Sequence, residues 1–157
     1  MPINPSAELS IRSIRPDDYP GWRPLWDAYN AFYGRYGETA LDEHITLTTW
    51  ARFLQDSEPV HALIAESQGQ IVGIVHYVFH RSTTRLADVC YLQDLYTIAS
   101  QRGKGIGRQL IESVYAIASE SACRRVYWQT HESNAAGRLL YDKLAQNKGF
   151  IVYSHES

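Results

Sequence analysis

The stretch QRGKGIGRQL, residues 101–110, constrains this chain more than any other. Glycines at 103, 105 and 107 alternate with Lys104 and Ile106, and Arg102 and Arg108 flank them. An apolar, β-prone run, VCYLQDLYTI, precedes the glycines, and a helical pattern follows. Glycine has no Cβ, so the backbone can turn sharply and a ligand can come close to its amides. The first N–H groups of a helix lack intrahelical partners, and the helix dipole adds positive character there. A strand, a glycine turn and a helix in that order suit a phosphate cradle. No acid occurs between Asp94 and Glu112, so Arg102, Lys104 and Arg108 add local positive charge. A lone motif of this kind also fits a glycine-rich turn with solvated charges, so its surroundings decide.

The chain of 157 residues suits a single domain, 1–157, with a loose leader at 1–8. Its formal net charge of −2 gives no global field that would favour nucleic acid. Any anion site must therefore be built locally. Cys90 and Cys123 fit no metal motif and make no disulfide framework. They read as reduced packing residues, with one bridge left open. The N-terminus lacks the basic and apolar regions of a signal peptide. The longest apolar run, IVGIVHYVF, is too short to cross a bilayer. A cytoplasmic location with neither membrane nor nucleic-acid partner is expected.

The hydrophobic period gives the order β α α β β β α β α β. An early strand is expected at 9–16. Asp17 or Asp18 then caps a helix carrying Trp22, Leu25, Trp26, Tyr29, Phe32 and Tyr33, which Gly34 and Gly37 end. A weaker helix follows at 41–57. Strands at 60–67 and 71–82 flank the turn Gln68-Gly69-Gln70. Next come a strand at 89–98, a helix from Gly105 to about Ser121, a strand at 125–130, a helix at 133–145 and a final strand at 149–154. The expected fold is α/β: a mixed, mostly antiparallel central sheet of about six strands flanked by about four helices.

Three phosphate-loop patterns can be compared with residues 101–108. A P-loop requires Gly, four residues, then Gly-Lys-Ser/Thr, and here Gly105 follows Lys104. A Rossmann fingerprint requires G-x-G-x-x-G, and here the spacing is G-x-G-x-G after a hairpin. The pattern R-x-x-G-x-G, met by Arg102, Gly105 and Gly107, resembles the pyrophosphate loop of the GCN5-related N-acetyltransferase (GNAT) family. A second signature is ESNAAGRLLYDKL, with Asn134 opening a helix and Tyr141 seven residues on. Seven steps of about 100° come within ~20° of two turns, so the two side chains point the same way. The string W-x-x-L-W-x-x-Y-x-x-F-Y, with YLQDLY and VYWQT, is similar to the histone, polyamine and diamine acetyltransferase branch.

The resemblance implies acetyl-CoA as donor and a primary amine as acceptor, with no metal. It implies that the strand before the loop splays from its neighbour and offers the main chain of Leu95, Tyr96 and Thr97 to the pantetheine arm. It further implies that Arg102, Gly103, Lys104, Gly105, Ile106, Gly107 and Arg108 hold the pyrophosphate. Asn134 and Gly137 would meet the pantetheine or phosphate end, and Tyr141 would sit near the sulfur. Asn134 also suits a plain helix N-cap, and Tyr141 a core aromatic.

The chemistry needs a neutral amine, a donor for the thioester oxygen and a proton for the leaving thiolate. Tyr141, a phenol protonated at neutral pH, suits the last task. The base stays open between Asp94, a water chain ending at Glu38, Glu43, His76 or His131, and an unassisted route. Gln93 stands where the polyamine relatives carry a substrate-side Glu, and glutamine accepts no proton. His76 and His80, four apart on a strand, lie too far apart to share a metal. Substrate contacts are expected from Gln93, Tyr33, Tyr36 and Glu38. Acids at 38, 42, 43, 56 and 58 favour a polyamine-like cation or a basic peptide, unless they form a solvated face. With the chain stopping soon after GFIVYS, one edge would be left for a second copy to cover, so a homodimer is expected.

Overall fold

The computed structural model describes residues 8–157. The expected leader lies outside them except for Glu8. In chain order the elements are β1 (Ser10–Ser13), α1 (Tyr19–Phe32), α2 (Glu43–Phe53), β2 (Val60–Ser67), β3 (Gln70–His80), β4 (Val89–Thr97), α3 (Ile106–Glu120), β5 (Val126–Tyr127) and α4 (Ala135–Leu144). The strands form one sheet in the order β1-β2-β3-β4-β5. Every neighbouring pair is antiparallel except β4 and β5, which are parallel and need α3 as their crossover. The β2–β3 hairpin turns on Gln68 and Gly69, at φ of 54° and 75°. Two consecutive positive φ values match the twist of the flanking strands.

Each sheet face buries its own core. Towards α3, the residues Leu63, Val75, Leu92, Leu110, Ile111 and Val114 pack together, and Tyr141 and Leu144 of α4 close over them. Leu110, Ile111 and Val114 recur at helical spacing and are 0% exposed. Each contributes roughly 1.5–3 kcal/mol by leaving water. Towards α1 and α2, the core is aromatic: Trp22, Trp26, Tyr29 and Phe53 cover Ile64, Ile71 and Ile74. Arg12 on β1 fixes the entry to α1. Its guanidinium donates to both oxygens of Asp18 at 2.8 and 2.9 Å and to Glu66 on β2 at 3.0 Å. The Arg12 hydrogen bonds hold the Asp18 carboxyl below the usual carboxylate range.

Two expected strands differ. The segment 149–154 forms no strand, and Phe150, Ile151, Val152 and Tyr153 are exposed. With β5 only two residues long, no ladder extends far enough to receive it. The strand expected at 125–130 pairs only at Val126 and Tyr127, because residues 128–130 diverge from β4. Among the described residues the sheet thus has five strands, with four α-helices around it. The helix expected at 41–57 is shorter, starting where Asp42 accepts a hydrogen bond from the His44 amide at 2.7 Å. Cys90 and Cys123 are free and buried. Burial pushes the Cys90 thiol up to about 12. No helix among the described residues is long and apolar enough to cross a membrane.

Candidate active site

The divergence of β4 from β5 shapes the site. The two strands pair only at Cys90–Val126 and Tyr91–Tyr127. From Leu92 to Thr97, β4 bonds β3 along one edge and leaves the other edge open towards the gap. A bulge adds to this opening. Asp94 pairs with His76 and Leu92 pairs with Tyr77, so Gln93 is an extra residue with no partner. Leu92, Gln93 and Leu95 consequently all line the cleft. Tyr29 and Tyr33 form one wall, and Trp128, Gln129 and Tyr141 stand across from them.

At the lower end of the gap, β4 runs through a short turn into α3. Gly105 caps α3 at φ 80°, a left-handed conformation suited to glycine. The first helical bond runs from the Gln109 amide to the Gly105 carbonyl at 3.1 Å. The amides of Ile106, Gly107 and Arg108 are therefore left as donors, where a pyrophosphate would find them. Arg102 donates from Nε to the Thr97 carbonyl at 3.0 Å and lies over the Tyr96 ring, 5.3 Å from its centroid. Lys104 reaches Gln101 at 3.1 Å, and Arg108 pairs with Glu112 at 2.9 Å on the exposed helix face. These residues fit an acyl-CoA donor: an open strand edge for an amide-bearing arm, then uncommitted amides and three cations for its phosphates.

Asn134 is the N-cap of α4. Its Oδ1 accepts from the Gly137 amide at 3.1 Å, and its Nδ2 donates to Thr130 Oγ1 at 2.9 Å. The Asn134 side chain folds so closely over Gly137 that a Cβ there would collide with it. Tyr141 lies on the same helix, edge-on to Trp128 with ring centroids 5.5 Å apart. Burial raises the pKa of the Tyr141 phenol, with Tyr33 adding to the shift. It stays a proton donor across the neutral range.

Asp94 faces α1. Its Oδ1 accepts from the Tyr29 hydroxyl at 2.7 Å and its Oδ2 bonds His76 Nδ1 at 2.9 Å. His76 Nε2 accepts from the Trp22 indole at 3.0 Å. An indole N–H only donates, so the ring proton of His76 sits on Nδ1 and points at Asp94. Burial, then the Asp94 charge, raises the pKa of Tyr29. This chain of Trp22, His76, Asp94 and Tyr29 holds Asp94 rigidly beside the cleft. His76 is sealed in the core at 3% exposure, which removes it as the outer end of a water chain.

The cleft brings together Tyr33, Gln93 and Tyr141, with Asp94 reaching it through Tyr29. Tyr36 and Glu38 sit exposed on the turn after α1 and do not line it. Asp42 caps α2 by accepting from the His44 amide, and Glu43 pairs with Arg23 at 2.7 Å, so one charge of the acidic segment is neutralised within the chain. Sequence reasoning assigned Tyr29 to the core and missed its second role. Its helical spacing signals burial, while its hydroxyl partner is 65 residues away. Trp128 and Gln129 were missed because they were read as part of a regular strand.

An open edge beside a glycine-capped helix is the architecture of a transferase that takes its acyl group from a pantetheine thioester. The chain matches the Acetyltransferase (GNAT) family over residues 22–145. It is similar to the D-amino-acid N-acetyltransferase HPA3 of Saccharomyces cerevisiae, 33% identical over 147 residues that cover 92% of this chain and 89% of that one. It also resembles the thialysine N-epsilon-acetyltransferase of Mus musculus, 27% identical over 61% of this chain and 64% of that one. Among solved structures, the ribosomal-protein-alanine N-acetyltransferase of Brucella melitensis biovar Abortus 2308 shares the fold, with a TM-score of 0.80 at 22% identity over 96% and 98% of the two chains. The chain belongs to the GNAT acetyltransferase family and is an acetyl-CoA-dependent N-acetyltransferase.

Proposed function

We propose that the chain acetylates the primary amine of a small molecule by direct transfer. One observation carries this reading: a single narrow cleft joins the open β4 edge, Tyr141 and the Tyr29–Asp94 pair. The donor supplies an activated acetyl group as a thioester. Backbone amides of Leu95 and Thr97, the alternate residues turned to the open edge, face the arm and the thioester oxygen, whose growing charge a fixed N–H stabilises, while the Tyr96 amide is turned to β3. Tyr141 gives its proton to the departing sulfur. The acceptor's proton moves to Tyr29 Oη as the Tyr29 proton moves to Asp94 Oδ1, so the phenol never carries a charge. Gln93, on the cleft wall, orients the amine without taking its proton. Neither buried cysteine takes part.

The loop amides and Arg102, Lys104 and Arg108 hold the pyrophosphate, with Asn134 and Gly137 at its neighbouring end. The polyamine-like acceptor suggested by the acidic 38–58 segment has less support because Glu43 is paired with Arg23 and Glu38 does not line the cleft. The D-amino-acid and thialysine acetyltransferases among the relatives support acceptors of amino-acid size. The reduced, buried cysteines support a cytoplasmic setting. Exposed Phe150, Ile151, Val152 and Tyr153 support a homodimer in which this segment is covered by a second copy.

The test is thiol release from acetyl-CoA across spermidine, short diamines, amino acids, aminoglycosides and a lysine-rich peptide, with Tyr141→Phe in parallel. Turnover with a small amine, slowed in the variant, is the expected result. Turnover with the peptide alone would replace the small-molecule reading.

A further inference from the structure

Arg35 stands against two tyrosines of the cleft wall and has no acidic partner among the described residues. Its backbone amide donates to the Asn30 carbonyl at 2.9 Å, and its Nε donates to Asn30 Oδ1 at 2.6 Å. Asn30 is itself 4% exposed and tied by Nδ2 to the Trp26 carbonyl at 2.9 Å. The guanidinium carbon lies over the rings of Tyr33 and Tyr29, 5.4 and 5.9 Å from their centroids. The same two rings form one wall of the cleft. Among the described residues, no carboxylate comes within ion-pair distance of Arg35, and both Nη groups lack a partner. Four other arginines, at 12, 23, 81 and 108, do have acid partners.

A planar fork held at its Nε, stacked on aromatic faces and left with both Nη groups free is suited to binding a carboxylate in bidentate fashion. Tyr29 lies between this cation and the anchored carboxylate of Asp94. A fixed positive group and a fixed negative one therefore flank a single ring, Tyr29, which itself lines the cleft. A zwitterion matches that pattern. A polyamine, positive along its length, would meet repulsion at Arg35.

We infer that Arg35 is a specificity residue that binds the carboxylate of an amino-acid acceptor, whose amine lies towards Tyr29 and Asp94. This inference rests on the small-amine reading above and narrows it to carboxylate-bearing amines. Asn30 is the positioning residue that aims the fork.

The test compares kcat/KM for matched pairs, phenylalanine against phenethylamine and leucine against isoamylamine, with both hands of each amino acid. It uses the wild-type chain, Arg35→Lys and Arg35→Gln. Losing a charge-assisted pair of this kind costs on the order of 10- to 100-fold. The expected result is that wild type favours the better hand of each amino acid over its decarboxylated partner by about that factor. Both variants lose the preference through a higher KM for the amino acid, so the kcat/KM ratio within each pair falls towards one. If wild type treats the paired acceptors alike, the inference is overturned and the small-amine reading stands. A variant that slows both members of a pair equally makes Arg35 a strut of the turn, and again overturns it. If wild type binds acetyl-CoA in calorimetry but acetylates no small amine, the reading fails and takes the inference with it. The wild-type comparison keeps the test decisive even if a variant does not fold.

Discussion

The two faces of the sheet are built from different materials. The α3 face is aliphatic, closed by Leu110, Ile111 and Val114 at 0% exposure. The α1 face is aromatic and carries a polar thread from the Trp22 indole through His76 and Asp94 to the Tyr29 hydroxyl. An apolar contact is non-directional, so the first face stabilises the fold without fixing hydrogen-bond directions. A buried hydrogen bond is directional and costly to leave unmade, so the second face fixes the orientation of a few atoms. The catalytic cleft opens where both faces reach the unpaired edge of β4. Tyr141 comes to it from the α3 side and Tyr29 from the α1 side.

The sharpest break should come from Tyr141→Phe. Removing the donor to the leaving sulfur is expected to lower kcat about 10²- to 10⁴-fold. Its urea midpoint should hardly move, since the hydroxyl makes no hydrogen bond among the described residues. A kcat within a few-fold of wild type would end the acid role. Leu110→Ala is the mirror experiment. It should cost about 2–5 kcal/mol of stability by chemical denaturation. Activity per folded molecule should stay unchanged, and a parallel fall in kcat would mean that the aliphatic face also aims the site.

His76→Leu should cross the two patterns. It strands the Trp22 N–H and one Asp94 oxygen, each at about 1–3 kcal/mol of stability. Comparable to Leu110→Ala in its cost to the fold, it should lower kcat where Leu110→Ala does not. A smaller effect concerns the Arg12–Asp18 pair. The folded Asp18 carboxyl titrates below its unfolded value near 3.9. Its stabilisation is therefore complete above about pH 4 and is lost as pH falls through the lower folded value. Arg12→Gln should flatten the drop in urea midpoint between neutral and acidic buffer, and an unchanged slope would assign that drop to other carboxylates. The smallest effect is expected for Tyr36→Ala with Glu38→Gln, which lie off the cleft wall. KM should stay within about twofold, as for surface changes generally, and a larger rise would extend the acceptor site to the turn.

The glycine turn, the strand before it and the Asn134–Tyr141 spacing were legible because they are local. A positive φ, an N-cap and a two-turn helical separation are written in adjacent residues. Trp22, Trp26 and Tyr29 were legible as a buried stripe for the same reason. The polar thread was not, because its members come from α1, β3 and β4, and sequence spacing says nothing about which hydroxyl meets which carboxylate. Arg35 escaped for a related reason: a charged residue just after a helix usually means solvent, and only the stacked tyrosines and Asn30 distinguish it. The final strand was over-read. GFIVYS has the composition of a strand, but a strand also needs an edge to pair with, and alternation alone does not supply one.

Gln93 gives β4 one residue more than the ladder uses. If it were deleted, Leu92, Asp94 and Leu95 would still alternate between the two faces, and neither core would change its membership. The strand would straighten and lose a side chain from the cleft wall. The opening into which substrate enters is thus separable from the fold that carries it. One residue beyond the ladder's count widens a gap that the parting of β4 and β5 has already opened.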